Sequence, residues 1–201
     1  MNKIIPLRAF TDPTHMPILV LVDMQKEYIT SSRALSLAGA DTALENCRRV
    51  LAHARHARIP VAFMRWRGVS PFFNPATPFA GWIEGFVPTR DDAVFERNRP
   101  SCYASAPFAD MMAHAGNHII LAGFAGEAAC LATAIDAFHR GQRLTFLEDA
   151  SASHELGEFD ASEVHGVISR IVELYGDVSS THTWIASTAT NRTTRYESRV
   201  K

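Results

Sequence analysis

Continuous apolar runs alternate along this chain with stretches of helical periodicity. Pro17-Ile-Leu-Val-Leu-Val-Asp23 is apolar until it ends on an acid, the pattern of a strand covered on both faces. From Asp41 to Arg58, Ala43, Leu44, Cys47, Val50, Leu51 and Ala54 recur at helical spacing. This predicts an amphipathic helix with Asp41 as its N-cap and Pro60 beyond its end. Val61 to Trp66 and Ala93 to Arg97 predict a second and a short third strand. Pro107 to Ala115 predicts a helix, and His118 to Gly123 a fourth strand. A helix then runs from Gly126 to about Arg140 and stops at Gly141. Arg143 to Leu147 predicts a fifth strand that halts at Glu148-Asp149-Ala150. Ser162 to Tyr175 predicts a helix ended by Gly176, and Val178 to Thr183 a sixth strand. After Ser187 the chain is polar and is expected to be loose.

Between the second and third strands, Gly68 to Pro88 forms a long loop carrying Phe72, Phe73, Phe79, Trp82 and Phe86. A loop of that length in a compact domain usually serves function. Its aromatic side chains have two readings, a lid over a substrate ring or an interface between copies.

Strands that alternate with helices imply right-handed βαβ units. The expected fold class is α/β: a doubly wound, Rossmann-like parallel β-sheet of about six strands flanked by helices. One domain is expected over residues 1–201, with its core at about 17–185 and a polar tail at 188–201. Sites in such sheets lie beyond the carboxyl ends of the strands. The residues to inspect are therefore Asp23, Arg65 to Arg67, Arg97 to Arg99, Gly123 to Cys130 and Glu148 to Asp149.

The chain has 201 residues, 47% apolar and 20% charged, with a net charge of -1. That balance excludes whole-chain disorder and allows a real core. It offers no basic field for a nucleic acid or an anionic membrane. The longest apolar region, His118 to Phe138, is broken by Glu127 and Asp136 and is too polar to span a bilayer. Residues 1–16 lack the apolar stretch of a signal peptide. Cys47, Cys102 and Cys130 are widely spaced and form no C-x-x-C pair, which points to neither a disulfide framework nor a zinc site. A cytoplasmic protein acting on a small molecule is expected, with no nucleic-acid or membrane partner. Lysine is scarce, at Lys3, Lys26 and Lys201 only.

Asp23 ends a buried strand, where desolvation raises a carboxyl pKa and suits it to proton transfer. Capping the next turn is its other reading. Gly123-Phe-Ala-Gly-Glu-Ala-Ala-Cys130 leads from a strand into a helix. The first amides of that helix can bind an anion or oxyanion, and Cys130 lies near the same positive end. Small residues there also let a helix pack on a sheet.

Leu21-Val-Asp-Met-Gln25 and Gly123 to Cys130 are followed by Leu131-Ala-Thr-Ala-Ile-Asp-Ala137, Gly141 and Glu148-Asp-Ala-Ser-Ala-Ser153. In this order and spacing they resemble the isochorismatase-like hydrolase superfamily over roughly Pro17 to Ser180. The resemblance implies a parallel α/β sheet and assembly as a homodimer or homotetramer. It also implies, for the superfamily's amidases, an Asp, a Lys and a nucleophilic Cys. Asp23 matches the Asp. The lysine position falls on Arg97, in Arg97-Asn-Arg-Pro-Ser-Cys-Tyr103. The cysteine position, four residues before Thr133, falls on Ala129 rather than Cys130. Isochorismatase also carries a small residue there, followed by Cys-Leu, as in Ala129-Cys130-Leu131.

Successive helical side chains diverge by about 100°, so Cys130 packs inward if Ala129 faces the pocket. A shift in the helix start would restore Cys130 as the nucleophile, and both readings stay open. Arg97 keeps its charge and offers a planar fork suited to carboxylates. It would lower the Asp23 pKa against the desolvation that raises it. Some amidases of the superfamily hold a metal with Asp-x-His after the second strand. Here that stretch is Met64-Arg-Trp-Arg-Gly68, so neither a metal nor another cofactor is expected. His53 and His56 have metal-binding spacing but read as solvent-facing, His154 after the fifth strand has two readings, a site-lining residue or a loop residue, and Cys102 reads as a loop thiol.

The leading expectation is a hydrolase with Asp23 as general acid/base, Arg97 supplying charge, and Gly126, Ala129, Arg65, Arg99 and Trp82 binding substrate. If Arg65, Arg67, Arg97 and Arg99 converge, that substrate is an anion. The alternatives are a cysteine amidase using Cys130 and a non-catalytic binder of a small acidic ligand.

Overall fold

The computed structural model of the chain describes residues 17–69, 71–115 and 118–188. Its strands are β1 (Pro17–Val22), β2 (Val61–Trp66), β3 (Ala93–Arg97), β4 (His118–Gly123), β5 (Arg143–Ser151) and β6 (Asp177–Ser179). They form one sheet in the order β3-β2-β1-β4-β5-β6, and every pairing is parallel. The chain starts in mid-sheet, winds out to β3, then crosses back to add β4 on the other side of β1. The strand order thus reverses between β1 and β4, where α/β sheets open their binding crevice.

Helices α1 (Ala40–His56), α2 (Ala106–Ala115), α3 (Leu131–His139) and α4 (Ala161–Val172) flank the sheet, and residues 181–188 are also helical. Alternate residues of a strand point to opposite faces. Leu19 and Leu21 of β1 therefore pack with Leu44, Cys47, Val50 and Leu51 of α1 and with Trp184. Ile18, Val20 and Val22 pack with Phe108 and Met112 of α2, Ala134 and Ala137 of α3, and Val164 and Ile168 of α4. Cover on both faces is why β1 reads as an unbroken apolar run.

Several boundaries differ from the sequence reading. Gly39 is the N-cap of α1, at φ 73 and with no side-chain cap. Asp41 sits in the first turn instead, where its charge complements the helix dipole. β5 does not halt at Glu148 but runs to Ser151, because the pairing with β4 shifts register between Leu121 and Gly123 and re-forms at Gly123–Ser151. α4 starts at Ala161 behind a capping box of Asp160 and Glu163 and ends at Val172. β6 stops at Ser179, and a helical turn follows. There Asp149 Oδ1 accepts the Thr181 amide (2.7 Å) and hydroxyl (2.8 Å). The polar tail beyond residue 188 lies outside the described residues.

The aromatic loop packs largely on its own chain. Phe73, Ile83 and Phe86 belong to the core beside α1. Trp82 meets Phe63 edge-on at 5.6 Å and Phe73 lies 5.3 Å from Tyr28. At the switch point, Gly123 has φ +110, and a Cβ there would stand 2.2 Å from Val22 O. Only glycine lets β4 turn off this close to β1.

Candidate active site

Asp23 follows β1 in a left-handed turn, φ 50. Its N–H donates to Met64 O of β2 (2.8 Å), and its carbonyl accepts the Gln25 N–H (2.6 Å). The side chain is fully buried. Arg97, the last residue of β3, reaches it from two strands away: Nη2 donates to Asp23 Oδ2 at 2.5 Å. Arg97 Nη1 donates to Arg99 O at 2.6 Å, and the guanidinium lies 4.7 Å from the Trp66 ring centroid. Asp23 Oδ1 and Arg97 Nε are buried with no hydrogen-bond partner among the described residues. Burial raises the Asp23 pKa from 3.8 to about 6, in spite of the opposing Arg97 charge and of a Trp66 backbone N–H close to the carboxyl. Desolvation therefore wins the contest that the sequence left open.

Gln25, the third residue of the Asp23-Met-Gln25 motif, fixes this pair indirectly. Its Oε1 accepts the Trp66 N–H (2.8 Å), and its Nε2 donates to Trp66 O (3.1 Å) and Ala80 O (2.8 Å). The ring beneath Arg97 is thus pinned to the turn that carries Asp23. Tyr28, in the short turn Lys26–Tyr28, packs 5.7 Å from Phe124 and 6.0 Å from His154. Burial and then Asp23 raise its phenol pKa well above the ordinary value.

Glu127 and His154 form a second polar pair. His154 Nδ1 lies 2.7 Å from Glu127 Oε1, and Nε2 lies 3.1 Å from Leu35 O. Both ring nitrogens face acceptors, which suits a protonated imidazole. The Glu127 hydrogen bond is the main cause of a raised His154 pKa.

The nucleophile region is packed. Gly126–Cys130 is a π-helical turn leading into α3. Cys130 Sγ faces Gly123 O at 3.6 Å and Ser151 Oγ at 3.8 Å, and burial pushes its thiol pKa far up. Ala129 is buried, and its carbonyl accepts the Thr133 hydroxyl at 2.7 Å. Gly126 N–H donates to Ala152 O, and the Ala128 and Cys130 amides donate to Ala125 O. These three amides of the expected anion cradle are already engaged. A Cβ on Gly126 would lie 2.6 Å from Ser153 Oγ. Its small size therefore serves packing. Cys102 is no loop thiol: it is fully buried, and burial raises its pKa to about 11.

The four arginines do not converge. Arg65 and Arg67 both pair with Glu96, which faces Arg65 in the β2–β3 register, and the Arg99 side chain is exposed. Only Arg97 reaches Asp23. Trp82 lies under Arg65, at 5.5 Å. A cavity of about 170 Å³ opens beside Trp66, with Arg65, Arg67, Phe73, Pro78 and Ala80 in its wall. His53 is half-buried, with contacts to Thr188 Oγ1 at 2.7 Å and the Trp184 ring at 5.3 Å, while His56 is exposed. No helix among the described residues is long and apolar enough to cross a membrane.

The sequence profile of the isochorismatase domain matches residues 17–183. A secreted isochorismatase effector of Verticillium dahliae is 23% identical over 174 residues, covering 85% of this chain and 90% of that protein. Maleamate amidohydrolase of Pseudomonas putida is 24% identical over 172 residues, 75% of this chain and 81% of that protein. The crystal structure of an isochorismatase from Pseudomonas putida superposes with a TM-score of 0.78 at 26% identity, covering 84% of this chain and 89% of its own.

Proposed function

This chain belongs to the isochorismatase family of hydrolases, and we propose that it hydrolyses a small acidic molecule without a thiol nucleophile, with Asp23 as general acid and base. The observation that carries this reading is the Asp23 carboxyl itself. Arg97 holds Oδ2, while Oδ1 is buried with no hydrogen-bond partner among the described residues. A pKa of about 6 leaves both protonation states populated near neutral pH.

The reaction that suits such a group is opening of an enol ether. Asp23 gives its proton to the enol carbon, water adds to the resulting oxocarbenium carbon, and the proton released by water returns to Asp23. The hemiketal then collapses to a carbonyl compound and an alcohol. One water is consumed and nothing is oxidised. The environment of Cys130, turned toward Gly123 O and Ser151 with its thiol pKa raised, weighs against an acyl-enzyme route. Arg65 and Arg67 are the two cations of the cavity wall, and an acidic substrate would compete with Glu96 for them. The three cysteines are free and buried, which fits a cytoplasmic setting.

A hydrolysis screen over enol ethers, amides, carbamates and ureas tests this reading. The expected hit is an enol ether bearing a carboxylate. Asp23→Asn should lower turnover by about 10²–10⁴-fold, and Cys130→Ala should leave it standing. Full turnover in Asp23→Asn, or its loss in Cys130→Ala, would overturn the mechanism.

A further inference from the structure

We infer that Arg97 positions the hydrolytic water: its Nε–H donates to the water oxygen, and that water donates a hydrogen to Asp23 Oδ1. The inference rests on the acid/base reading of Asp23 and gives Arg97 a defined part in it.

In arginine, Nε–H and one Nη2–H lie parallel along the same edge of the guanidinium. A carboxylate facing that edge ordinarily accepts both. Here only one of the two bonds is made, Nη2 to Oδ2 at 2.5 Å. The atoms that would close the second, Nε and Oδ1, are both buried and both unpartnered among the described residues. Both side chains are fully buried, and buried polar atoms are costly to leave unmatched.

Both groups are held in place by their surroundings. Arg97 is tethered through Nη1 to Arg99 O at 2.6 Å and lies on the Trp66 ring at 4.7 Å. Trp66 is held by both ends of the Gln25 amide. Asp23 is held by its own amide to Met64 O and by its left-handed turn.

One buried donor and one buried acceptor on the same edge call for a single atom that accepts and donates. A hydroxyl oxygen does this. A carboxylate offers Oδ1 no hydrogen, and an amide needs two atoms for the two contacts. Water is the smallest such group, and it is the reactant that hydrolysis requires. In the step, the water O–H breaks and its proton goes to the Asp23 carboxylate, which has just protonated the substrate. The oxygen lone pair forms the new C–O bond at the oxocarbenium carbon. No electrons are transferred to or from any other group. Arg97 is a positioning residue in this step.

Two measurements test the water site. An atomic-resolution crystal structure of the full chain should show one isolated oxygen within hydrogen-bond distance of both Arg97 Nε and Asp23 Oδ1. Two parallel Asp23–Arg97 bonds, or a multi-atom anion in that place, would overturn the proposal. So would a substrate hydroxyl in the water's place in a substrate-analogue complex. On the substrate found by the hydrolysis screen, Arg97→Lys keeps the charge but loses the fork. Its kcat should fall by about 10²-fold, with KM changed less than about threefold. A raised KM at unchanged kcat would make Arg97 a substrate grip, and an unchanged kcat would make it a mere charge; either overturns the water site. The crystallographic result stands if the variant does not fold. An inactive Asp23→Asn together with a closed two-bond pair sinks the water site alone, whereas an active Asp23→Asn sinks the acid/base reading beneath it.

Discussion

Asp23 and Arg97 are legible in the sequence because each ends a parallel strand, and parallel strands end on the same edge of a sheet. What the sequence hides is which charges are already spent. Glu96 stands one residue before Arg97 and opposite Arg65 in register, so it draws Arg65 and Arg67 away from an anion site that a count of arginines suggests. Tyr28 and the pairing of Glu127 with His154 carry no such signal, since no spacing rule brings them together. The pKa of Asp23 gives a direct check. Its folded value of about 6 exceeds the 3.8 of an unperturbed carboxyl. The folded state therefore holds the extra proton between those values, and this residue's contribution to stability is lost as pH rises toward 6. Carbon-13 NMR of the aspartate carboxyls should show one midpoint near 6 that vanishes in Asp23→Asn. If every carboxyl titrates below about 4.5, Arg97 outweighs burial and the proton-donor reading loses its basis.

At the scale of elements, β2, β3 and β4 match the sequence reading residue for residue. Short apolar runs bounded by polar residues or turns leave no second register. β5 runs four residues past its expected end, because a register shift in a neighbouring strand leaves no local trace in Glu148-Asp149-Ala150. The same strand pair carries a titratable seam. His118 opens β4, its Nε2 lies 2.9 Å from Thr145 Oγ1 of β5, and burial followed by the Arg143 charge lowers its pKa from 6.5 to about 4. The unfolded chain then binds the extra proton across that interval. Stability held above pH 6.5 is therefore lost as pH falls toward 4, by at most about 3 kcal/mol. His118→Gln retains a donor for Thr145 without a charge to gain. Melting curves from pH 7 to pH 4 should fall less steeply for the variant than for the wild type, and parallel curves would show that His118 does not drive the acid limb.

Across the whole molecule, the sheet orders itself by hydrogen-bonded pairing, whereas the segments over its carboxyl edge are held by point contacts. Residues 24–39 and the loop at 68–88 share one clamp. Arg33 Nε donates to Glu27 Oε1 at 2.7 Å, and Arg33 Nη2 donates to Pro71 O at 2.6 Å. The same guanidinium lies 4.5 Å from the Phe79 ring and 5.8 Å from Phe72. Glu27 is fully buried, while Arg33 remains about one-fifth exposed. The loop's length announces that it closes over something, but two charges six residues apart that share no α-helix give no sequence signal of a clamp. Truncating Arg33 strands a carboxylate in the interior with little beyond the Phe73 amide, 3.4 Å away, to stabilise it. Loss of one partner from a buried pair costs about 3–5 kcal/mol. Arg33→Ala should therefore lower the melting temperature and open the 68–88 loop to limited proteolysis while the sheet stays protected. In Arg33→Ala/Glu27→Gln, which removes the stranded charge, much of the melting temperature should return. The protease sensitivity should persist, because the stacking on Phe72 and Phe79 and the tie to Pro71 are still lost. A loop as resistant in Arg33→Ala as in the wild type would mean that the aromatic packing on Tyr28 and Phe63 holds the edge closed without the clamp.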